Sequence, residues 1–265
     1  MELASNIGLL NQHNMSYYHH LIKTAAGVDA DAAIYIANVG LTGTNATAWN
    51  QLVLDLKAYS IWTKMIQILP GCWNDATKNA VDGKNTLNAT MNGGLTHSGN
   101  LINGNGTNGY ISTLYNTNAL ALNNIGHSYF CSANFYEDTY FAGTYVAPNY
   151  HLSTPRNSYN TYRLAINDQA NGQYFAANFN SLGFFSFNRV DSSNVAAYIN
   201  GTLLHAFTQV SEVTPNAIFR FFTVVGAGGY SARSANFFIL HNGLNATEAG
   251  NLHTAISAFK TTIGI

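Results

Sequence analysis

Charge is what this chain has least of. Asp, Glu, Lys and Arg make up only 9% of its 265 residues, against roughly 25% in an ordinary soluble domain. The 11 basic residues are scattered, with Arg156, Arg163, Arg189, Arg220 and Arg233 standing singly. No basic stripe exists to neutralise a phosphate backbone, which argues against nucleic acid as a partner. No run of about 18 apolar residues offers a membrane span. Met1–Asn6 has neither a positive n-region nor a long apolar h-region, so no secretory signal is expected. Cysteine is scarce too. Cys72 and Cys131 lie far apart and read either as small buried hydrophobes or as a long-range disulfide. Metal-ligand spacing is also missing. Tyr17-Tyr18-His19-His20 would put its adjacent histidines on opposite faces of a strand. Asp168, Asp191 and Glu137-Asp138 could serve calcium only if folding brought them together. No metal or cofactor is therefore expected.

What the chain does have is apolar residues, 47% of the total, enough to bury a core. Asn, Thr, Ser, Gly and Tyr carry the polarity. Acidic residues, then Ala33, Ile34 and Ala37, predict a short helix over 29–38 that stops at Gly40. Trp49, Leu52, Val53 and Leu56 follow the spacing of one buried face and predict a second helix, capped at Thr44 or Asn45. The apolar run Ile61–Pro70 follows it. From about Asn85 onward, short apolar or aromatic runs alternate with Gly/Asn turns, the grammar of an all-β sandwich. Asn103–Gly109 lacks the Lys-Ser/Thr and the helix of a phosphate loop, and reads as a glycine-rich turn.

The hairpin at Asn200-Gly201 allows a sharper expectation. A two-residue type I′ turn sets Ile199 opposite Thr202, Ala197 opposite Leu204 and Val195 opposite Ala206, all on a core face. The other face carries Tyr198, Leu203, His205 and Phe207. It is too apolar for idle surface and is read as lying under a loop, in a subunit contact or in a ligand groove. Tyr198 and His205 are its candidate ligand-binding residues. At the far end, Ala235, Phe237 and Ile239 alternate with Asn236, Phe238 and Leu240. Asn245 and Glu248 then form a capping box for a last helix with the stripe Leu252, Ile256, Phe259 and Ile263.

Several blocks then occur in an order that carries a resemblance. They are Asp29-Ala-Asp-Ala-Ala, Leu52–Met65, Gly94-Leu-Thr-His-Ser98, Asn105–Tyr110, Tyr198-Ile-Asn-Gly201 and Gly243–Ala249. Over residues 28–265 the chain resembles bacteriophage virion-associated proteins with a concanavalin A-like, laminin-G-like sandwich. The resemblance implies a mainly β fold: a two-sheet antiparallel jelly-roll with an N-terminal helical pair and a C-terminal helix. The organisation expected is an attachment segment at 1–27, a helical cap at 28–84 and a sandwich at 85–265. It also implies location at the particle surface after synthesis in the host cytoplasm. The implied partners are other virion proteins, sister subunits in a homo-oligomer, and a host-surface glycan.

Catalysis is not expected. Laminarinase-type enzymes on this kind of sandwich place carboxylates on alternate residues of one strand, either side of a glycosidic bond. Here Glu248 belongs to a helix cap, and Glu137 and Asp138 are adjacent, so on a strand they face opposite ways. No Gly-x-Ser-x-Gly elbow is present. The function expected is a non-enzymatic virion fibre, tail or decoration subunit. A free-standing carbohydrate-binding module is the alternative, and a glycan hydrolase or lyase comes third.

Overall fold

Every residue of Gly183–Arg189 is buried, as is every residue but the first of Ser234–His241. Strands of that kind must be covered on both faces, and their coverings define the layers of the molecule. The computed structural model describes residues 27–85, 87–169, 173–176 (backbone only), 180–226 and 228–265. The expected attachment segment, Gly27 apart, and the Tyr17–His20 cluster lie outside the described residues. In chain order the elements are α1 (Ala30–Val39), α2 (Gly43–Ala58), β1 (Met65–Leu69), α3 (Ala76–Ala80), β2 (Thr90–Asn92), β3 (Thr96–Ser98), β4 (Leu101–Asn103), β5 (Tyr110–Asn116), β6 (Ile125–Cys131), β7 (Ala142–Val146), β8 (Asn149–Thr154), β9 (Thr161–Asp168), β10 (Gln173–Ala176), β11 (Gly183–Arg189), β12 (Asn194–Ile199), β13 (Thr202–Thr208), β14 (Ile218–Phe221), β15 (Ser234–His241) and α4 (Ala246–Ile263).

Two antiparallel sheets form a sandwich, and a helical layer closes one side of it. The eight-stranded sheet runs β13-β12-β11-β6-β15-β4-β3, with β1 also paired to β15. The seven-stranded sheet runs β10-β9-β8-β7-β14-β5-β2. Between them lies an aromatic core that includes Tyr129, Phe141, Phe185, Phe187, Phe219 and Phe221. The alternate residues of the eight-stranded sheet, Phe184, Phe237 and Ile239, pack instead against α1, α2 and α4. Trp49 anchors that layer, 4.0 Å from Tyr35 and edge-on to Phe259 at 6.1 Å. The helix stripes expected at Trp49–Leu56 and Leu252–Phe259 are buried here. The Asn245–Glu248 capping box forms as expected.

Two expectations change. Segment 28–84 is not a separate cap: Met65–Leu69 is a strand of the large sheet, and α1 and α2 share one core with α4. The hairpin turn forms, with Asn200 and Gly201 at φ +50° and +76° and Ile199 opposite Thr202. A bulge then shifts the register, so Ala197 faces His205 and Val195 faces Phe207, rather than Leu204 and Ala206. Cys72 and Cys131 are free, buried thiols, the first of the two readings given for them above.

Candidate ligand-binding cleft

The middle strands of the large sheet are covered on both faces, and the outer face of the smaller sheet presents side chains to an open cleft. Along β9, Tyr162, Leu164 and Ile166 point into the sandwich. Ala165 points out, with Leu152 of β8 beside it, under the rings of Tyr140, Tyr145 and Tyr150. Arg163 lies between these rings, its guanidinium carbon 4.6 Å from the Tyr140 centroid and 6.0 Å from that of Tyr150. At the β8–β9 end this face opens into a cleft of about 610 Å³ lined by Asp138, Tyr140, Thr154, Asn157, Tyr159, Thr161 and Arg163.

Two loops shape the cleft, and their local chemistry is legible. The Asn157 carboxamide oxygen accepts from the amides of Tyr159 (3.0 Å) and Thr161 (3.0 Å) and from the Thr161 hydroxyl (2.8 Å). Asn160 takes φ +59°, a conformation asparagine tolerates well. This turn holds Tyr159 outward, 81% exposed. Across from it, Asp138 accepts from both the amide (3.1 Å) and the hydroxyl of Ser158. Those bonds hold its carboxyl below the usual carboxylate range, so it is ionised at neutral pH.

Beneath the cleft, the buried Arg233 ties the loops together. Its Nε lies 3.0 Å from Glu137, one Nη donates to the Ser181 hydroxyl at 3.1 Å and the other to the Arg156 carbonyl. Ser181 in turn donates to the Phe135 carbonyl at 2.6 Å and accepts from its amide at 2.8 Å.

Chemically, the cleft offers aromatic faces, hydroxyls, a carboxamide, one ionised carboxylate and the largely buried guanidinium of Arg163. Groups of these kinds can stack on and hydrogen-bond to a polyol. Hydrolysis by a pair of carboxylates needs a second acid, and the lining supplies only Asp138. Among the described residues three serine–histidine pairs are in contact: His127–Ser153 and Ser128–His241, each at 2.7 Å, and His253–Ser257 at 3.1 Å. The first two pairs are fully buried, so those contacts satisfy interior polar groups rather than present a nucleophile, and the third lies one turn apart on α4, outside the cleft lining. Among the described residues no group of three or more His, Cys, Asp or Glu is placed to hold a metal. Glu137 is engaged with Arg233, Asp168 with Gln209, and Asp191 with the turn at Ser193 and Asn194.

The residues singled out in the sequence lie elsewhere. Tyr198 is 6% exposed and packs in the layer beneath the helices. It therefore faces no groove, a correction that follows from α4 covering this sheet face. His205 sits half-buried on the edge strand β13, its ring 6.0 Å from Phe207, and does not line the cleft. The sequence singled out Glu137-Asp138 only as carboxylates, for calcium or for catalysis. It had no signal to pick out Tyr140 and Tyr159 among 16 tyrosines.

No family model matches the chain, and no curated protein matches it either. Among solved structures it is similar to the receptor binding domain of botulinum neurotoxin C/D mosaic serotype, with 15% identity and a TM-score of 0.57 over 73% of this chain and 52% of that one. It is also similar to a mutant of Trypanosoma rangeli sialidase displaying trans-sialidase activity (11% identity, TM-score 0.55, 79% of this chain and 39% of that one). A third similar structure is Trypanosoma rangeli sialidase in complex with sialic acid (12% identity, TM-score 0.52, 72% and 33%). The chain thus spans about half of the toxin domain and a third or so of the sialidase. At these identities the likeness is one of fold, a β-sandwich.

Proposed function

We propose that this chain is a non-catalytic, lectin-like carbohydrate-binding module, built on a concanavalin A-like jelly-roll and acting through the cleft on its smaller sheet. One observation carries the reading. Tyr159 is held 81% exposed at a cleft whose other lining groups are Tyr140, an ionised carboxylate, a carboxamide, two threonine hydroxyls and the guanidinium of Arg163. A sugar ring needs that combination, an aromatic surface for its C–H face and acceptors and donors for its hydroxyls. A sialidase seen with sialic acid, among the similar folds, agrees with a sugar ligand.

The expected result is direct. On a printed glycan array the wild-type chain binds at least one glycan, and Tyr159→Ala weakens that binding about tenfold or more, as losing a stacking ring should. Circular dichroism should show the variant folded, since Tyr159 packs against little. Equal binding by Tyr159→Ala would sink the assignment of this cleft.

The setting we propose is the surface of a phage particle, as a fibre, tail or decoration subunit in a homo-oligomer, in contact with other virion proteins. It rests on the order of the sequence blocks quoted above. Residues 1–27 are proposed as the assembly arm. Light scattering should then find an oligomer for the whole chain and a folded monomer once 1–27 are removed. A monomer in both forms would remove the assembly role and leave a free-standing module.

A further inference from the structure

We infer that the cleft is the middle of a longer track, and that its ligand is an uncharged, unbranched glycan chain of several residues rather than a single terminal sugar. This rests on the carbohydrate-binding reading above. Tyrosines continue past the cleft in both directions. On the loop side, Tyr136 is 59% exposed. Its segment is fastened alongside the Tyr159 turn, with the Glu137 amide donating to the Arg156 carbonyl at 3.3 Å and the Ser158 amide to Asp138 at 3.1 Å. On the strand side, Tyr145 and Tyr150 are cross-strand partners, half-exposed, with rings parallel to within 13° at 4.5 Å.

Tyr150 stands four residues from Thr154 in the cleft, or about 13 Å along a strand. A ligand touching both the Thr154 end of the cleft and Tyr150 would have to follow the strand for about that length. A single sugar uses one or two rings, whereas a line of rings across a sheet face has work for a chain. The track is also pre-organised. Arg163 fills the space between Tyr140 and Tyr150, so little side-chain freedom remains to be lost on binding.

Charge selects within that class. The Arg163 guanidinium lies between rings, with 3% of the residue exposed. The carboxylate of Asp138, held ionised by Ser158, lines the open cleft. An acidic sugar would bring its own anion against that carboxylate, and a neutral one would not.

The experiment uses the full chain on an array printed with homologous series, one to six residues long, of glucose, galactose, N-acetylglucosamine and N-acetylneuraminic acid. Affinity should rise about tenfold or more from the first to the third member of a neutral series and stay at background for the acidic one. Tyr136→Ala and Tyr150→Ala should each cut affinity for the long members several-fold and leave the single sugar unchanged, while Tyr159→Ala removes both. Tyr136 is a surface residue, so its variant keeps the test valid if Tyr150→Ala fails to fold. Binding that is independent of length yet lost in Tyr159→Ala would overturn the track and leave the cleft assignment standing. Preference for the acidic series would overturn the selection by charge. Background signal for every series would overturn both the inference and the reading beneath it.

Discussion

Changing Glu137 to alanine is expected to destabilise the fold by about 3–5 kcal/mol, because it strands a guanidinium inside the protein. The Arg233 side chain is 1% exposed, and Glu137, itself 12% exposed, lies 3.0 Å from its Nε. Glu137 also accepts from the Ser231 hydroxyl and, at 3.0 Å, from the Ala232 amide. The alanine variant therefore leaves a charge and two hydrogen-bond donors without an acceptor. Glu137→Gln keeps an acceptor but not the charge, and should fall between wild type and Glu137→Ala. The double change Glu137→Met with Arg233→Met removes both charges and should recover much of the loss, since a buried pair and its apolar replacement are often close in energy. Urea unfolding followed by circular dichroism gives all four values. A Glu137→Ala variant within 1 kcal/mol of wild type would mean that water reaches this site and that the pair is not truly interior. The consequence reaches function as well. Arg233 bonds to the backbone of Arg156 and, through Ser181, to that of Phe135, the two loops that bound the cleft. Sugar binding should therefore weaken in Glu137→Ala even where the protein remains folded.

Much of the frame was legible in the sequence because the signals were local. Asn245 and Glu248 stand at capping-box spacing and make both capping bonds. Asp29 caps the first helix, and Gly40 ends it in the left-handed region. The Asn200-Gly201 turn could hardly be anything else. Other features depend on what a segment meets in three dimensions. Ile61–Pro70 reads as an apolar run of no fixed type. It becomes a strand because β15 offers it an edge: Met65 pairs with His241 and Leu69 with Phe238. The apolar face at Tyr198 read as lying under a loop, in a subunit contact or in a groove, and only the position of α4 decides among them. The bulge opposite Ala197 has no mark in the sequence. The cleft was hidden for a related reason. Its side chains come from β8, β9 and two loops brought together by Arg233, which in the sequence is one scattered arginine among several.

Acid should unfold this protein well before its surface carboxylates are neutralised. The sandwich encloses three fully buried histidines. His127 Nε2 lies 2.7 Å from the Ser153 hydroxyl and its Nδ1 3.3 Å from His151 Nε2. His241 shares a 2.7 Å contact with Ser128 and reaches the Asn242 carbonyl at 2.8 Å. Burial pushes all three below the usual histidine range, His151 to about 3, His241 to about 4, and His127 well down. The neighbouring charges do not reverse this. Arg189 disfavours a proton on His151, and Lys64 outweighs Glu248 at His241. In the unfolded chain each histidine takes a proton near pH 6.5. Between that pH and the depressed native values the unfolded state binds more protons, so stability is intact above about 6.5 and falls as pH drops. By pH 4 the loss is roughly 3 kcal/mol for each of His151 and His241, with His127 adding to it. Asp82 acts in the opposite sense. Burial raises its carboxyl to about 6, so acidification through that value returns about 3 kcal/mol. The histidines outnumber it, and the net loss of several kcal/mol is comparable to the whole stability of a typical domain. Urea midpoints at pH 7.5, 6, 5 and 4 should fall steeply below pH 6.5. Replacing His151 with asparagine should lower the midpoint at pH 7.5 yet flatten the fall. A midpoint that holds steady from pH 6.5 to 4.5 would show that the interior accepts these protons without cost, and that the His127–Ser153–His151 cluster opens to solvent in the native state.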